Sequence, residues 1–150
     1  MKRILPLILA TSFSVNASVW DDIKNTPATQ LDVGRIYLDM FSTMYKEQFV
    51  GQKVGDTKYK VKSLDSFGSD GKLGLKVGYE ARGKYINPQE CGMFVNISKQ
   101  ALPAGKLAEG IYPQMKPENK EEFASTFLYE VQLINTDNGA VMAECRSDKL

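Results

Sequence analysis

Between residues 31 and 49 the apolar positions fall at three- and four-residue steps: Leu31, Val33, Ile36, Tyr37, Met40, Phe41, Met44, Tyr45 and Phe49. That spacing gathers them on one stripe and predicts a long helix with one buried face. Thr29 and Asp32 suit its start, where a side-chain oxygen can accept from a free N–H and a carboxylate meets the positive helix end. Gly51 marks its stop.

The period then changes to two. Tyr59 and Val61 alternate with Lys58, Lys60 and Lys62. After the turn cluster "GSDG" (68–71), Leu73, Leu75, Val77, Tyr79 and Ala81 alternate with Gly74, Lys76, Gly78, Glu80 and Arg82. This predicts a hairpin with a long loop, apolar residues inward and lysines outward. Gly74 and Gly78 fall on the outer face and are expected to leave backbone accessible between the charges. Cys91, Met93, Val95 and Ile97 alternate with Gly92, Phe94, Asn96 and Ser98, which predicts a third strand. Residues 99–122 hold Pro103, Pro113 and Pro117 with Gly105 and Gly110. They read as a long irregular segment, closed by a short helix from Pro117. Phe127, Tyr129, Val131 and Leu133, the turn Asp137-Asn138-Gly139, and Val141, Ala143 and Cys145 predict a second hairpin.

The expected fold class is α+β: one long N-terminal amphipathic helix packed on an antiparallel sheet of about five strands. The long irregular segment precedes the last hairpin. A strand order of first, second, third, fifth, fourth would bring Cys91 beside Cys145. The stretch "GQKVG" (51–55) lies after a helix and before a strand, and resembles the Gln-x-Val-x-Gly hairpin of cystatins. Gly55 falls one place early, Asp56 stands at the glycine position, and no Pro-Trp hairpin follows. The resemblance implies an element order and assigns no site residues.

The first residues, "MKRILPLILATSFSVNASVW", carry Lys2 and Arg3, then an apolar run, then Val15-Asn16-Ala17 with small residues at −3 and −1. This is the grammar of a bacterial secretory signal peptide, and the run is short for a membrane span. Residues 1–17 are expected to be removed and 18–150 to form one domain, periplasmic or secreted. In an oxidising compartment the two cysteines, Cys91 and Cys145, read as a disulfide. Removing Lys2 and Arg3 from the 19 basic residues leaves 17 against 18 acidic ones, so no overall field favours nucleic acid or a membrane surface.

The chain contains no histidine, which argues against triad hydrolysis and the common zinc sites. No phosphate-cradling glycine motif and no CxxC pair occurs. "DSFGSDG" (65–71) lacks the ligands of a calcium loop at its third and fifth positions and reads as a turn. Glu118, Glu121, Glu122 and Asp137 are the carboxylates on which a carboxylate-dependent enzyme would rest.

Charge is unevenly spread. Residues 53–84 carry eight basic and four acidic residues, and 115–150 carry four basic and seven acidic. Alternation places Lys58, Lys60, Lys62, Lys76 and Arg82 on one face of the first hairpin, as a candidate surface for an acidic protein or an anionic glycan. The same lysines also serve to keep a sheet soluble and guard an edge. The function expected is a small exported, non-catalytic binding or inhibitor-type domain that recognises a partner by its surface, without a cofactor. The alternative is an accessory subunit of a periplasmic or outer-membrane assembly, contacting it through Leu102, Leu107, Ile111 and Tyr112.

Overall fold

The structure, a computed structural model, describes residues 32–69, 71–111 and 117–150. The expected signal segment, 1–17, and the lead-in with Trp20 lie outside these residues. The fold is α+β. Helix α1 (Asp32–Phe49) is followed by strands β1 (Lys60–Ser69) and β2 (Lys72–Ala81). Then come helices α2 (Cys91–Ala101), α3 (Ala104–Ile111) and α4 (Pro117–Thr126), and strands β3 (Leu128–Asn135) and β4 (Val141–Arg146).

The described sheet has four strands in the order β1-β2-β3-β4, and it is mixed: β1–β2 and β3–β4 are antiparallel, while β2 and β3 run parallel. This corrects the expected five-stranded antiparallel sheet and its strand order. Parallel neighbours need a crossover connection, and α2, α3 and α4 provide it.

The error lies at residues 91–101. Cys91, Phe94, Val95 and Ser98 are the buried residues of α2, spaced three, one and three apart on one helical stripe. The two-residue alternation of Cys91, Met93, Val95 and Ile97 competes with that stripe, and tertiary packing selects the helix. Phe94, placed outward on a strand, is fully buried, whereas Met93 is exposed. A start signal was present. The Asn87 side chain accepts from the Gln89 N–H at 3.1 Å, and Pro88 sits in the first turn. That short 3-10 turn (Pro88–Glu90) runs straight into α2.

The segment read as irregular is mostly helical. Pro103 and Pro117 punctuate it, and α4 begins at Pro117 as expected. Leu102, Leu107 and Phe123 are buried in the core.

The expected long loop of the first hairpin is strand. The pairing of β1 with β2 extends to Ser69 and Lys72. Gly71 there has φ +73°, a conformation glycine adopts without strain. A bulge hid the second half of β1. Val61 pairs with Tyr79 and Ser63 with Gly78, so Lys62 is an extra residue and the inward register resumes at Leu64.

The inner face of the sheet, with Tyr59, Val61, Leu64, Leu75, Val77, Tyr79, Val131 and Leu133, forms the core. Helix α1 covers β1, and α2 lies along β3 and β4. The Cys91–Cys145 disulfide joins the start of α2 to β4, with Cα atoms 6.1 Å apart and a sequence separation of 54. For a loop of that length chain entropy gives about 4 kcal/mol. The second hairpin closes as expected. Asn135 and Asn138 side chains accept from the Asp137 and Ala140 N–H groups, and Gly139 takes φ +72°.

Candidate binding surface

The outer face of the sheet is a set of cross-strand rows. In one row Asp65 (β1), Lys76 (β2), Glu130 (β3) and Arg146 (β4) are successive register partners. Lys46 of α1 reaches Asp65 at 2.8 Å, Lys76 reaches Glu130 at 3.0 Å, and Arg146 bonds Asp148 through both Nε and Nη2. The Arg146 hydrogen bonds hold the Asp148 carboxyl below its usual range. The row therefore alternates in sign across the whole sheet, and cross-strand pairs of opposite charge are favourable neighbours. One row away Gln132 donates to Glu144 at 2.6 Å.

Two of the five candidate residues belong to this internal pattern. Lys76 is bonded to Glu130, whose side chain is only 14% exposed. Lys62, the bulge residue, lies 3.9 Å from Glu80, close enough for attraction but too far for a hydrogen bond.

Nor is backbone accessible between the charges. Gly74 and Gly78 are buried. A Cβ at Gly74 would stand 2.5 Å from the Leu128 carbonyl oxygen and 2.7 Å from the Phe67 ring. One at Gly78 would run into the Ser63 hydroxyl. The glycines let Phe67 and Ser63 lie down on β2.

The other three candidates sit at the open end of the first hairpin. Lys58, Lys60 and Arg82 are exposed. Among the described residues none of them has a carboxylate within 4.0 Å. Two residues that alternation missed join them. Arg82 leads into a 3-10 turn (Gly83–Tyr85), closed by the Tyr85 N–H donating to the Arg82 carbonyl at 2.8 Å. That turn carries Lys84 and Tyr85. The Lys84 ammonium stands 4.9 Å and the Lys58 ammonium 5.9 Å from the centre of the half-exposed Tyr85 ring. Both distances are within cation–π range.

The turn is held from beneath. Tyr59 is 3% exposed, its ring packs 4.5 Å from that of Phe94, and its hydroxyl accepts from the Asn87 N–H at 3.3 Å. The same hydroxyl reaches the Tyr85 carbonyl at 3.5 Å and the Glu90 carboxylate at 3.4 Å. Burial, with Glu90 adding to it, pushes the Tyr59 pKa up, so the hydroxyl stays protonated and able to donate.

The remaining residues singled out from sequence fall elsewhere. Glu118, Glu121 and Glu122 line a wide, shallow depression on α4, while Asp137 lies in the β3–β4 turn. Among the described residues no three acidic, histidine or cysteine groups come together as a metal site. Leu102 and Leu107 are core residues, and Tyr112 lies outside the described residues. Among the described residues no helix is long and apolar enough to cross a membrane. The disulfide is compatible with a place outside the cytoplasm.

No protein-family model matches the chain, and neither a curated protein nor a solved structure matches it.

Proposed function

We propose that this is a small exported, non-catalytic binding domain that docks an acidic partner, a protein or an anionic glycan, on the patch Lys58, Lys60, Arg82, Lys84 and Tyr85. The observation that carries the reading is the Tyr85 ring with two lysine ammonium groups over it. A lysine held on an aromatic face has already lost part of its rotamer freedom, so less entropy is lost when an anion arrives. Lys60 and Arg82 extend the positive charge, and no carboxylate among the described residues neutralises them. Docking of this kind is steered by charge and weakens steeply with salt.

The test is retention of the mature protein on a sulfated polysaccharide and on a polyglutamate surface, measured against salt concentration. Binding to at least one of them, lost in the double variant Lys58→Glu/Lys84→Glu, is the expected result. Equal retention of wild type and variant at every salt concentration would remove the proposal.

A further inference from the structure

The inner side of the sheet borders an apolar cavity of about 260 Å³. It lies between the end of α1, β1–β2 and the last turn of α2, and its walls include Phe49, Val61, Leu64, Val77, Ile97 and Leu102. Two hydroxyls in its lining are satisfied within the protein: those of Tyr79 and Ser98 lie 2.7 Å apart, and Ser98 Oγ donates to the Phe94 carbonyl at 2.9 Å. Few polar groups remain to hold water, and apolar cavities of this kind take apolar guests. The exposed lining residues Gln48, Gln52 and Ala101 mark its mouth.

An apolar ridge leads to that mouth. Met40, Met44 and Gln48 follow one another at four-residue steps on α1, and side chains so spaced form a ridge along a helix. Met40 is 58% and Met44 69% exposed, although both belong to the stripe expected to be buried. The methionines continue the cavity's apolar surface outward, and surfaces of that kind mark interaction sites.

The chain carries a segment able to cover both. Residues 18–31 lie outside the described residues and end where α1 begins. In "SVWDDIKNTPATQ" (18–30) the large apolar residues are Val19, Trp20 and Ile23. The chain from Trp20 to Asp32 spans up to about 40 Å when extended, whereas α1 from Asp32 to Gln48 is about 24 Å long.

We infer that this segment folds back along α1 and seats the Trp20 indole in the cavity. A cavity of roughly 150 Å³ accepts benzene, and an indole is a benzene ring with a second, smaller ring fused to it. Gln48 and Gln52 offer amide oxygens at the mouth to the indole N–H, which needs an acceptor when the ring is buried. Ile23 then lies about 10 Å back along the ridge. That is between Met44 and Met40, which are about 6 and 12 Å from Gln48. Tethering keeps the ring near its seat at an effective concentration on the order of millimolar, so no strong contact is required. The seat is independent of the acidic-partner patch.

Trp20 is the only tryptophan, so its fluorescence, excited selectively, reports on this segment alone. In the folded mature protein its emission should be blue-shifted and its quenching by acrylamide several-fold weaker than in urea. Trp20→Ala should move the Val61, Leu64, Val77 and Ile97 methyl resonances, through loss of the ring current, and should bind benzene several-fold more tightly than wild type. Ala101→Phe, which plugs the mouth, should return the emission towards that of the unfolded chain. Should that variant fail to fold, Gln48→Phe serves the same purpose. Lys58→Glu/Lys84→Glu should leave the emission unchanged, which separates this seat from the docking patch. The inference is overturned if Trp20 is quenched as strongly in the folded protein as in urea, or if Trp20→Ala leaves those methyls in place. It is also overturned if both plugging variants keep the wild-type emission, or if protection is lost on dilution, which would assign the ring to the cavity of a second copy.

Discussion

The two hairpins of this protein look opposed in sequence and turn out to be complementary in space. Residues 53–84 are net basic, and 115–150 are net acidic. Along the chain these are separate blocks. In the fold, β2 pairs with β3 in parallel, so the basic hairpin lies directly beside the acidic one. Lys76 meets Glu130, and the row from Lys46 through Asp65, Lys76, Glu130 and Arg146 to Asp148 alternates in sign. Part of the lysine concentration is therefore matched by carboxylates on neighbouring strands, Lys76 by Glu130 of β3 and Lys62 by Glu80 of β2. At the open end of the first hairpin Lys58 and Lys84 stand over the Tyr85 ring, Lys60 and Arg82 are exposed, and none of the four has a carboxylate within 4.0 Å among the described residues.

The largest expected effect comes from breaking the joint between the hairpins. Phe94 belongs to the helix stapled to β4, yet its ring packs against Tyr59 and Tyr79 at 4.5 and 4.8 Å. Phe94→Ala should cost about 3–5 kcal/mol in a urea unfolding curve. A cost of a few tenths would mean that the ring is not in the core and that residues 91–98 form the strand their alternation suggests.

Alkaline pH should loosen both hairpins together. Burial raises the pKa of Tyr59 and Tyr79 in the first hairpin, and pushes that of Tyr129 in the second up to about 12. The unfolded chain loses these protons near pH 10, while the folded chain keeps them. Their contribution is thus complete below pH 10 and is lost as pH rises through the folded values. Thermal unfolding followed by circular dichroism should show a falling midpoint above pH 10. Tyr129→Phe, which has no proton to lose, should flatten that fall.

The charge row itself is worth less. Glu130→Lys would set three cations in succession across β2, β3 and β4, and should cost about 1–2 kcal/mol, reduced at high salt. A salt-independent cost would show that Glu130 acts through packing. The smallest effect on stability belongs to the open end. Lys58→Glu/Lys84→Glu should change stability by no more than about 0.5 kcal/mol, as surface substitutions do.

These differences mirror what could be read from sequence. Helix α1, strand β2 with its inward Leu75, Val77 and Tyr79, and the Asp137-Asn138-Gly139 turn were legible because each carries one clear period or one strong local signal, although Met40 and Met44, expected on the buried stripe of α1, are exposed. Residues 91–98 satisfied two periods at once, and only their neighbours choose between them. The bulge at Lys62 shifted the inward register by one, which alternation cannot anticipate. The disulfide was legible from two cysteines in a chain that reads as exported, although it joins a helix to a strand rather than two strands. Of the candidate binding surface, the lysines were legible but not their division. Which lysine meets a carboxylate depends on the parallel β2–β3 register, and Tyr85 sits in a 3-10 turn with no periodic signature.

The claim that the lysines divide into an internal set and an outward set is tested most directly by one paired measurement. Binding to a sulfated polysaccharide is titrated against salt for Lys58→Glu/Lys84→Glu and for Lys62→Gln/Lys76→Gln. The first pair should lose binding and keep its stability. The second should keep binding and lose some stability, because Glu80 and Glu130 lose their partners. Loss of binding in the second pair but not the first, or the same response in both, would contradict the division.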